Sequence, residues 1–225
     1  MTAGERWLAF LWPFVRAGLP SAPANVLEIG CGPVGGFVPV LLDAGYDATG
    51  IDRNAPESPA YHRIDFEQYE PPRPVDAIVA CRSLHHVADV GHVLERAAAV
   101  LRPGGALLVV EWARERFDED TARWCFARLD GSGAEPGWLH RRRDEWEASG
   151  QTWRAYFDAW ARREHLHRGD QILGELDARF ERSLCAYGPY FFADLNGVAE
   201  QDEQGAIETG AIRATGIRYL GALRL

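Results

Sequence analysis

The stretch that most constrains this chain is residues 26–36, where an apolar run leads into a glycine-rich turn. Four glycines fall between positions 30 and 36, and a helical pattern begins near Phe37. Glycines at such a turn let the backbone approach a ligand closely, and the N-terminus of the following helix favours negative charge. Asp52 ends the next apolar run, where its carboxylate can accept hydrogen bonds from ribose hydroxyls. The stretch therefore predicts an α/β fold that binds a nucleotide or a nucleoside.

Two cofactor classes fit this turn. Gly30, Gly32 and Gly35 have the spacing of the dinucleotide-binding fingerprint, and an acidic residue follows roughly 20 positions further on. Glu28, Gly30 and Gly32 also resemble the first motif of class I S-adenosylmethionine (SAM) dependent methyltransferases. That motif usually has its third glycine two positions after the second, where this chain has Val34. The turn alone leaves both alternatives open.

Strand and helix patterns alternate through the first half of the chain. After the first strand, the strands are predicted at residues 48–52, 62–65, 75–81 and 106–110, and the helices at residues 4–18, after Phe37 and at 89–101. The connections are short, and residues 75–81 are apolar enough to be buried on both faces. This order predicts a parallel, doubly wound sheet.

Residues 111–178 interrupt the alternation and contain six of the eight tryptophans of the chain. Helices are predicted at residues 119–129, 143–166 and 170–179, followed by a strand at 180–186, a helix at 199–208 and a closing strand at 212–223. The aromatic residues could line a water-poor acceptor pocket, which suits an aromatic or apolar molecule or an amine held by ring faces. Trp153, Phe157 and Trp160 share one helical face, so they could equally form core or a dimer contact.

Six segments in order resemble the small-molecule "type 11" group of class I SAM-dependent methyltransferases. They are residues 28–36, 50–52, 64–66, 76–81, 82–87 and 101–105, and residues 211–219 resemble the last strand of that fold. The resemblance implies a Rossmann-like α/β fold with a doubly wound, seven-stranded sheet whose last strand is antiparallel. It also implies one domain over residues 1–225, with a helical lid or acceptor-binding insertion at about 112–178 between strands five and six.

The same resemblance implies SAM as the cofactor and a small-molecule acceptor. The cofactor-binding residues carried over by position are Glu28, Gly30, Cys31, Gly32, Asp52, Arg53, Asp65, Phe66 and Cys81. Asp52 would bind the ribose hydroxyls, Asp65 would accept from the adenine amino group, and Phe66 would pack on the adenine ring. Asp65 could instead be a carboxylate that starts a loop.

The catalytic candidates are His86 and His85, which follow strand four and titrate near neutrality. A general base is needed only if the acceptor must lose a proton, and the family pattern favours His86. Either histidine could instead pack or hydrogen-bond the backbone. Two alternatives stay open: a SAM-binding protein of this fold that does not methylate and, less favoured, an NAD-dependent oxidoreductase.

Composition excludes several classes of partner. The net charge is −9 without a long basic run, which disfavours nucleic acid. Four scattered cysteines form no C-x-x-C pair, so we expect no metal site and a reduced, cytoplasmic protein. No run approaches the ~20 apolar residues that a membrane span needs. A monomer or a homodimer is expected.

Overall fold

The structure, a computed structural model, describes residues 2–130 and 137–224. The strands are β1 (Asn25–Ile29), β2 (Asp47–Ile51), β3 (Tyr61–His62), β4 (Val75–Cys81), β5 (Leu101–Trp112), β6 (Phe180–Gly188) and β7 (Gly216–Leu223). The α-helices are α1 (Ala3–Gly18), α2 (Val38–Asp43), α3 (Val90–Val100), α4 (Glu119–Phe126), α5 (Trp138–Ser149), α6 (Trp153–Arg163), α7 (Gly169–Arg179) and α8 (Glu200–Glu208).

These strands form a seven-stranded sheet in the order β3-β2-β1-β4-β5-β7-β6. The first five strands pair in parallel, and β7 lies between β5 and β6 and runs antiparallel to both. The predicted fold is confirmed, and helices α4 to α7 occupy the predicted position between β5 and β6.

The sheet separates two apolar cores because successive strand residues point to opposite faces. On β4, Val79 faces one core and Ile78 the other, and both side chains are fully buried. Helices α1, α2, α4, α5 and α6 contribute to the first core, whereas α3 and α7 contribute to the second. Covering both faces explains why the central strands are nearly continuous apolar runs.

The prediction of a single helix over residues 143–166 is wrong, because two helices occupy this region. Gly150 adopts a left-handed conformation with φ of 63° and ends α5. Thr152 then caps α6, since its hydroxyl accepts a hydrogen bond from the Ala155 amide. Several strand boundaries also differ from the prediction. β3 is confined to Tyr61–His62, so Asp65 lies in a loop, and the closing strand begins at Gly216 rather than at residue 212. β5 covers Leu101–Trp112, so residues 101–105, predicted as a turn, belong to the strand.

The aromatic face of α6 divides between core and pocket. Trp153 and Phe157 are buried and stack with ring centroids 4.9 Å apart. Trp160 is only partly buried and lines a small pocket described below. Within residues 2–130 and 137–224, no helix is long and apolar enough to cross a membrane.

Candidate functional site

The carboxyl ends of β1, β2 and β4 meet at one edge of the sheet. Ile29 at the end of β1 is paired with Ile51 on β2 and with Ala80 on β4. The chain moves outward in opposite directions from β1 and β4, and this switch point is where open α/β sheets bind ligands. A cleft of 880 Å³ lies here.

The first two glycines of the turn have different spatial roles. Gly30 has φ of +77°, and a Cβ on it would lie 2.3 Å from the Cβ of Ser83 in the loop after β4. Gly32 has φ of +64°, and a Cβ there would have no heavy atom within 4 Å. Gly30 therefore lets two loops pack against each other, whereas Gly32 leaves open space along the cleft that it lines.

The next two glycines serve the turn itself. A Cβ on Gly35 would lie 2.4 Å from the Tyr61 hydroxyl, and a Cβ on Gly36 would lie 2.2 Å from the Glu28 carboxylate. Glu28 reaches across the turn and accepts hydrogen bonds from the amides of Phe37 and Val38 at 2.7 and 3.2 Å. These contacts explain why positions 35 and 36 are both glycine.

Glu28 is not among the residues that line the cleft, and its part in a cofactor site stays a prediction. Its side chain is buried against the start of α2, where its carboxyl group satisfies backbone amides. Burial raises the pKa of Glu28 to about 8, against an ordinary value of 4.5. We infer that Glu28 shapes the turn rather than touching a ligand.

The acidic residues predicted at the ribose and the adenine line the cleft. Asp52 accepts hydrogen bonds from the Gly32 amide at 3.0 Å and from the Asn54 amide at 2.7 Å. Asp65 forms a two-point ion pair with Arg53, one of whose contacts joins Nη2 to Oδ2 at 2.9 Å. Phe66 lies beside this pair in the wall of the cleft.

The two cysteines predicted near the cofactor, Cys31 and Cys81, are not among the residues that line the cleft. Burial raises the pKa of the Cys31 thiol to about 12, and it also raises the pKa of the Cys81 thiol. Both side chains therefore stay protonated near neutral pH and act as packing groups. Any contact with a ligand at these positions would come from the backbone.

The two histidines after β4 have different surroundings. His85 is buried, and its Nδ1 lies 2.6 Å from a carboxylate oxygen of Glu111 at the end of β5. Glu111 is fully buried and also accepts from the Leu84 and Trp112 amides at 2.6 and 3.0 Å. Burial acts to raise the pKa of Glu111, but His85 and these amides outweigh it and lower the pKa.

His86 borders the open cleft, and no carboxylate among the residues that the structure describes holds it in this way. Desolvation lowers its pKa to about 4, and the neighbouring His85 adds to the effect. The rings of His85 and His86 lie 4.1 Å apart. His86 is therefore neutral at physiological pH but is a weak proton acceptor.

A second cavity adjoins the cleft, and Arg82 and His86 line both. We call it the aromatic pocket; its volume is 190 Å³ and its lining residues are Arg82, His85, His86, Trp112, Trp138, Trp160, Leu166 and Tyr190. Its walls combine residues from β5, the insertion and the loop after β6. Among the described residues, no three histidine, cysteine or acidic side chains cluster so that they could hold a metal ion.

Residues 5–168 match the model of a family described as a methyltransferase domain. The match covers well over half of the chain. This chain belongs to the methyltransferase domain family. The prediction of a class I SAM-dependent methyltransferase is confirmed at this level, whereas the narrower "type 11" group remains a prediction.

Curated and solved proteins agree with this family assignment. The chain is 31% identical over 137 residues to a ubiquinone biosynthesis O-methyltransferase of Bradyrhizobium sp. (strain ORS 278), covering 54% of this chain and 51% of that protein. It therefore spans about half the length of the curated relatives it matches.

Two solved methyltransferases share the fold over nearly the whole chain. An S-adenosylmethionine dependent methyltransferase from Mesorhizobium loti has a TM-score of 0.57 at 17% identity, covering 94% of this chain and 97% of its own. The N-methyltransferase NodS from Bradyrhizobium japonicum WM9, solved with S-adenosyl-L-homocysteine, has a TM-score of 0.54 at 16% identity, covering 100% of this chain and 89% of its own. At such low identity these similarities describe the fold alone.

The structure brings seven of the predicted site residues to the cleft: Gly30, Gly32, Asp52, Arg53, Asp65, Phe66 and His86. Sequence reasoning missed Glu111 and gave no role to Arg82. A charged residue that directly follows the apolar run at 106–110 is a signal that could have identified Glu111. The contacts of Arg82 come from distant parts of the chain and carried no comparable signal.

Proposed function

We propose that this methyltransferase-family protein transfers the methyl group of SAM to a hydroxyl oxygen of a small aromatic acceptor. The cleft would hold SAM, and the aromatic pocket would hold the acceptor. The observation that carries the proposal is the His85–Glu111 pair in the wall of the aromatic pocket, directly beside the cleft. Such a pair suits an acceptor that must lose a proton.

The residues of the cleft fit SAM. The Oγ atom of Ser83 is buried without a hydrogen-bond partner among the described residues, although Ser83 lines the cleft. The open space at Gly32 and the carboxylate of Asp52 suit a ribose, and Asp65 with Phe66 suits an adenine. The volume of 880 Å³ lies in the range of roughly 300–1,000 Å³ that is typical of small-molecule sites.

The hydrogen bonds of Glu111 determine which nitrogen of His85 can act as a base. Because the pKa of Glu111 is lowered, this carboxylate is ionised and can only accept, so Nδ1 of His85 carries the proton that points to it. The lone pair then lies on Nε2, which is left for the pocket that His85 lines. Glu111 also stabilises the imidazolium that forms when Nε2 takes a proton.

When bound, SAM would supply an electrophilic methyl group, and the electron pair of the S–C bond would remain on sulfur. The acceptor oxygen forms the new C–O bond, and its proton passes to Nε2 of His85 and then to solvent. The protein's other tasks are alignment of the acceptor and exclusion of water. The apolar walls that align the acceptor and exclude water are provided by Trp112, Trp138 and Trp160.

The size of the pocket and the curated relatives support an aromatic hydroxyl. At 190 Å³ the pocket is smaller than the sites of drug-sized ligands, so it fits a single substituted ring. The curated relatives are named O-methyltransferases, which favours oxygen over nitrogen as the acceptor atom. The comparisons do not favour a non-methylating protein or an NAD-dependent enzyme. A cytoplasmic location and a monomeric or homodimeric state stay predictions.

The test is a methylation assay with SAM that carries a deuterated methyl group. We expect mass spectrometry to detect labelled products from catechol or 3,4-dihydroxybenzoate and none from benzylamine. His85→Gln should slow the formation of labelled product by about 10²-fold or more while SAM still binds. Product from benzylamine alone would contradict the hydroxyl acceptor, and tight SAM binding without any labelled product across a broad acceptor panel would favour the non-methylating alternative.

A further inference from the structure

We propose that Arg82 binds a carboxylate on the acceptor, so that the substrates are aromatic hydroxy acids. The inference rests on the proposed function and narrows its substrate class. It is carried by the position of the Arg82 guanidinium between the cleft and the aromatic pocket, where it is held by ring contacts and left open to a ligand.

The backbone at Arg82 is unusual and directs its side chain. Arg82 follows β4 directly and has φ of +56°, a left-handed conformation that is unfavourable for a residue other than glycine. Its amide donates to the Val110 carbonyl at 2.8 Å, which anchors the residue on β5. A strained residue at a ligand cleft favours a functional role for its side chain.

Aromatic rings hold the guanidinium in place. The Cζ atom of Arg82 lies 5.1 Å from the ring centre of Trp7 and 5.7 Å from that of Tyr190. Trp7 is itself fixed, because its indole N–H donates to the Tyr190 carbonyl at 2.8 Å. Tyr190 in turn stacks on Trp112 with ring centroids 5.8 Å apart. The charge of Arg82 is thus pre-positioned by the pocket wall.

No carboxylate in the described part of the chain lies within 4 Å of the Arg82 guanidinium. Asp194 acts on it only from a longer distance and hydrogen-bonds to the Trp138 side chain. Glu111 lies behind His85, which it holds. The side chain of Arg82 is solvent-accessible and lines both cavities. The Tyr190 side chain hydrogen-bonds to the guanidinium, whose remaining N–H donors can serve a ligand.

A guanidinium fork matches a carboxylate in two parallel hydrogen bonds. The position of the guanidinium also argues against a cationic amine as the acceptor. Arg82 already covers the Trp7 and Tyr190 rings and would repel a second positive charge. The aromatic pocket therefore selects against the amine substrates that ring faces alone would suit.

Another carboxylate could reach Arg82, namely that of the methionine part of SAM. The ring contacts favour the acceptor: Tyr190 lines the aromatic pocket and is not among the residues of the cleft. If Arg82 binds the acceptor carboxylate, its substitution weakens binding of the acceptor; if it binds the SAM carboxylate, the substitution weakens binding of SAM. A single variant therefore separates the two.

The experiment compares 3,4-dihydroxybenzoate with 3,4-dihydroxybenzamide, which has the same shape without the charge. Binding is followed through tryptophan fluorescence in the presence of saturating S-adenosyl-L-homocysteine. We expect Arg82→Gln to weaken binding of the benzoate by about 10- to 100-fold, the effect of losing hydrogen bonds to a charged group, and binding of the benzamide by less than about threefold. SAM affinity, measured by calorimetry, should change by less than about threefold.

The matched control is Arg123→Gln. Arg123 lies over the Trp146 ring with its Cζ atom 4.8 Å from the ring centre and pairs with Glu119, away from both cavities. This substitution removes the same charge and a similar ring contact, so we expect it to leave the binding of both ligands unchanged. Unfolding temperatures of both variants show that each is folded.

Three results would overturn the inference. The first is an equal loss of affinity for the benzoate and the benzamide in Arg82→Gln. The second is failure of the wild-type protein to bind the benzoate more tightly than the benzamide. The third is a loss of SAM affinity of about tenfold or more in Arg82→Gln. The first two leave SAM-dependent methylation standing. The proposed function fails on different results, namely absence of SAM binding or absence of labelled product in the methylation assay.

Discussion

At the scale of single residues, the structure separates two adjacent histidines that the sequence presents as equivalent candidates. The sequence pattern favours His86 as the general base. The buried carboxylate of Glu111 instead orients His85, whereas the pKa of His86 is lowered to about 4 without such a partner. His85 is therefore our proposed base, and His86 is a neutral wall of the cleft.

We predict that His85→Gln lowers kcat by about 10²- to 10⁴-fold, the usual contribution of a general base. Glu111→Gln should also lower kcat, because an amide cannot hold the imidazolium as a carboxylate does. Neither variant should change SAM affinity by more than about threefold, as measured by calorimetry. A larger loss of kcat in His86→Gln than in His85→Gln would show that the sequence-based preference was right.

Glu28 provides a prediction about pH and stability. Its pKa is about 8 in the folded protein against an ordinary 4.5, so the folded state holds the proton more tightly than the unfolded chain. Its contribution to stability is therefore full below about pH 4.5 and is lost as the pH rises towards about 8. Gln resembles the protonated acid and does not titrate.

We therefore expect the free energy of unfolding of Glu28→Gln to gain on that of the wild type between about pH 5 and pH 8, by at most roughly 1.4 kcal/mol per pH unit. Urea unfolding at several pH values measures this difference. A difference that stays constant with pH would mean that Glu28 is not protonated in the folded protein.

At the scale of elements, the glycine-rich turn is built as much for its own packing as for a ligand. Gly36 makes room for the Glu28 carboxylate, which holds the start of α2, and Gly35 makes room for Tyr61. Gly32 is different, because a side chain there would extend along the cleft. A spacing rule based on glycines alone does not distinguish the glycines that pack within the turn from the glycine that leaves space along the cleft.

Gly36→Ala and Gly104→Ala test this packing as a matched pair. Both glycines have positive φ, +56° and +72°, so alanine strains the backbone at both positions. A Cβ at Gly36 meets the Glu28 carboxylate at 2.2 Å, whereas one at Gly104 meets nothing within 4 Å. Gly36→Ala should therefore be less stable than Gly104→Ala by roughly 1–3 kcal/mol, the cost of overpacking, in urea unfolding. Equal losses would show that strain alone matters.

The central strands were predictable because they are buried on both faces and have nearly continuous apolar sequences, whereas the seven-stranded sheet with its antiparallel last strand was inferred from the family resemblance. The split between α5 and α6 was not predicted, since apolar periodicity continues past Gly150 and only its left-handed backbone ends the helix. Glu111 was missed because the predicted strand stopped at Val110. Arg82 stood in a recognised segment, but its partners Trp7 and Tyr190 are brought to it only by the fold.

At the scale of the whole molecule, the cleft that we propose for SAM and the small aromatic pocket are joined at the switch point of one sheet. The family model covers residues 5–168, which include every residue that lines the cleft but end before β6 and β7. Tyr190 and the loop that carries it therefore lie outside the part shared with the family model, and Arg82 connects the two parts. We infer that acceptor selectivity is set where these parts meet.

The measurement that tests this account most directly is a calorimetric titration of the protein with SAM, S-adenosyl-L-homocysteine and NAD. We expect micromolar binding of SAM and S-adenosyl-L-homocysteine and no binding of NAD. We also expect a loss of about tenfold or more in SAM affinity for Asp52→Ala, because a charged group that accepts from the ribose hydroxyls is removed. Binding of NAD without SAM would contradict the account and would assign Gly30, Gly32 and Gly35 to a dinucleotide loop.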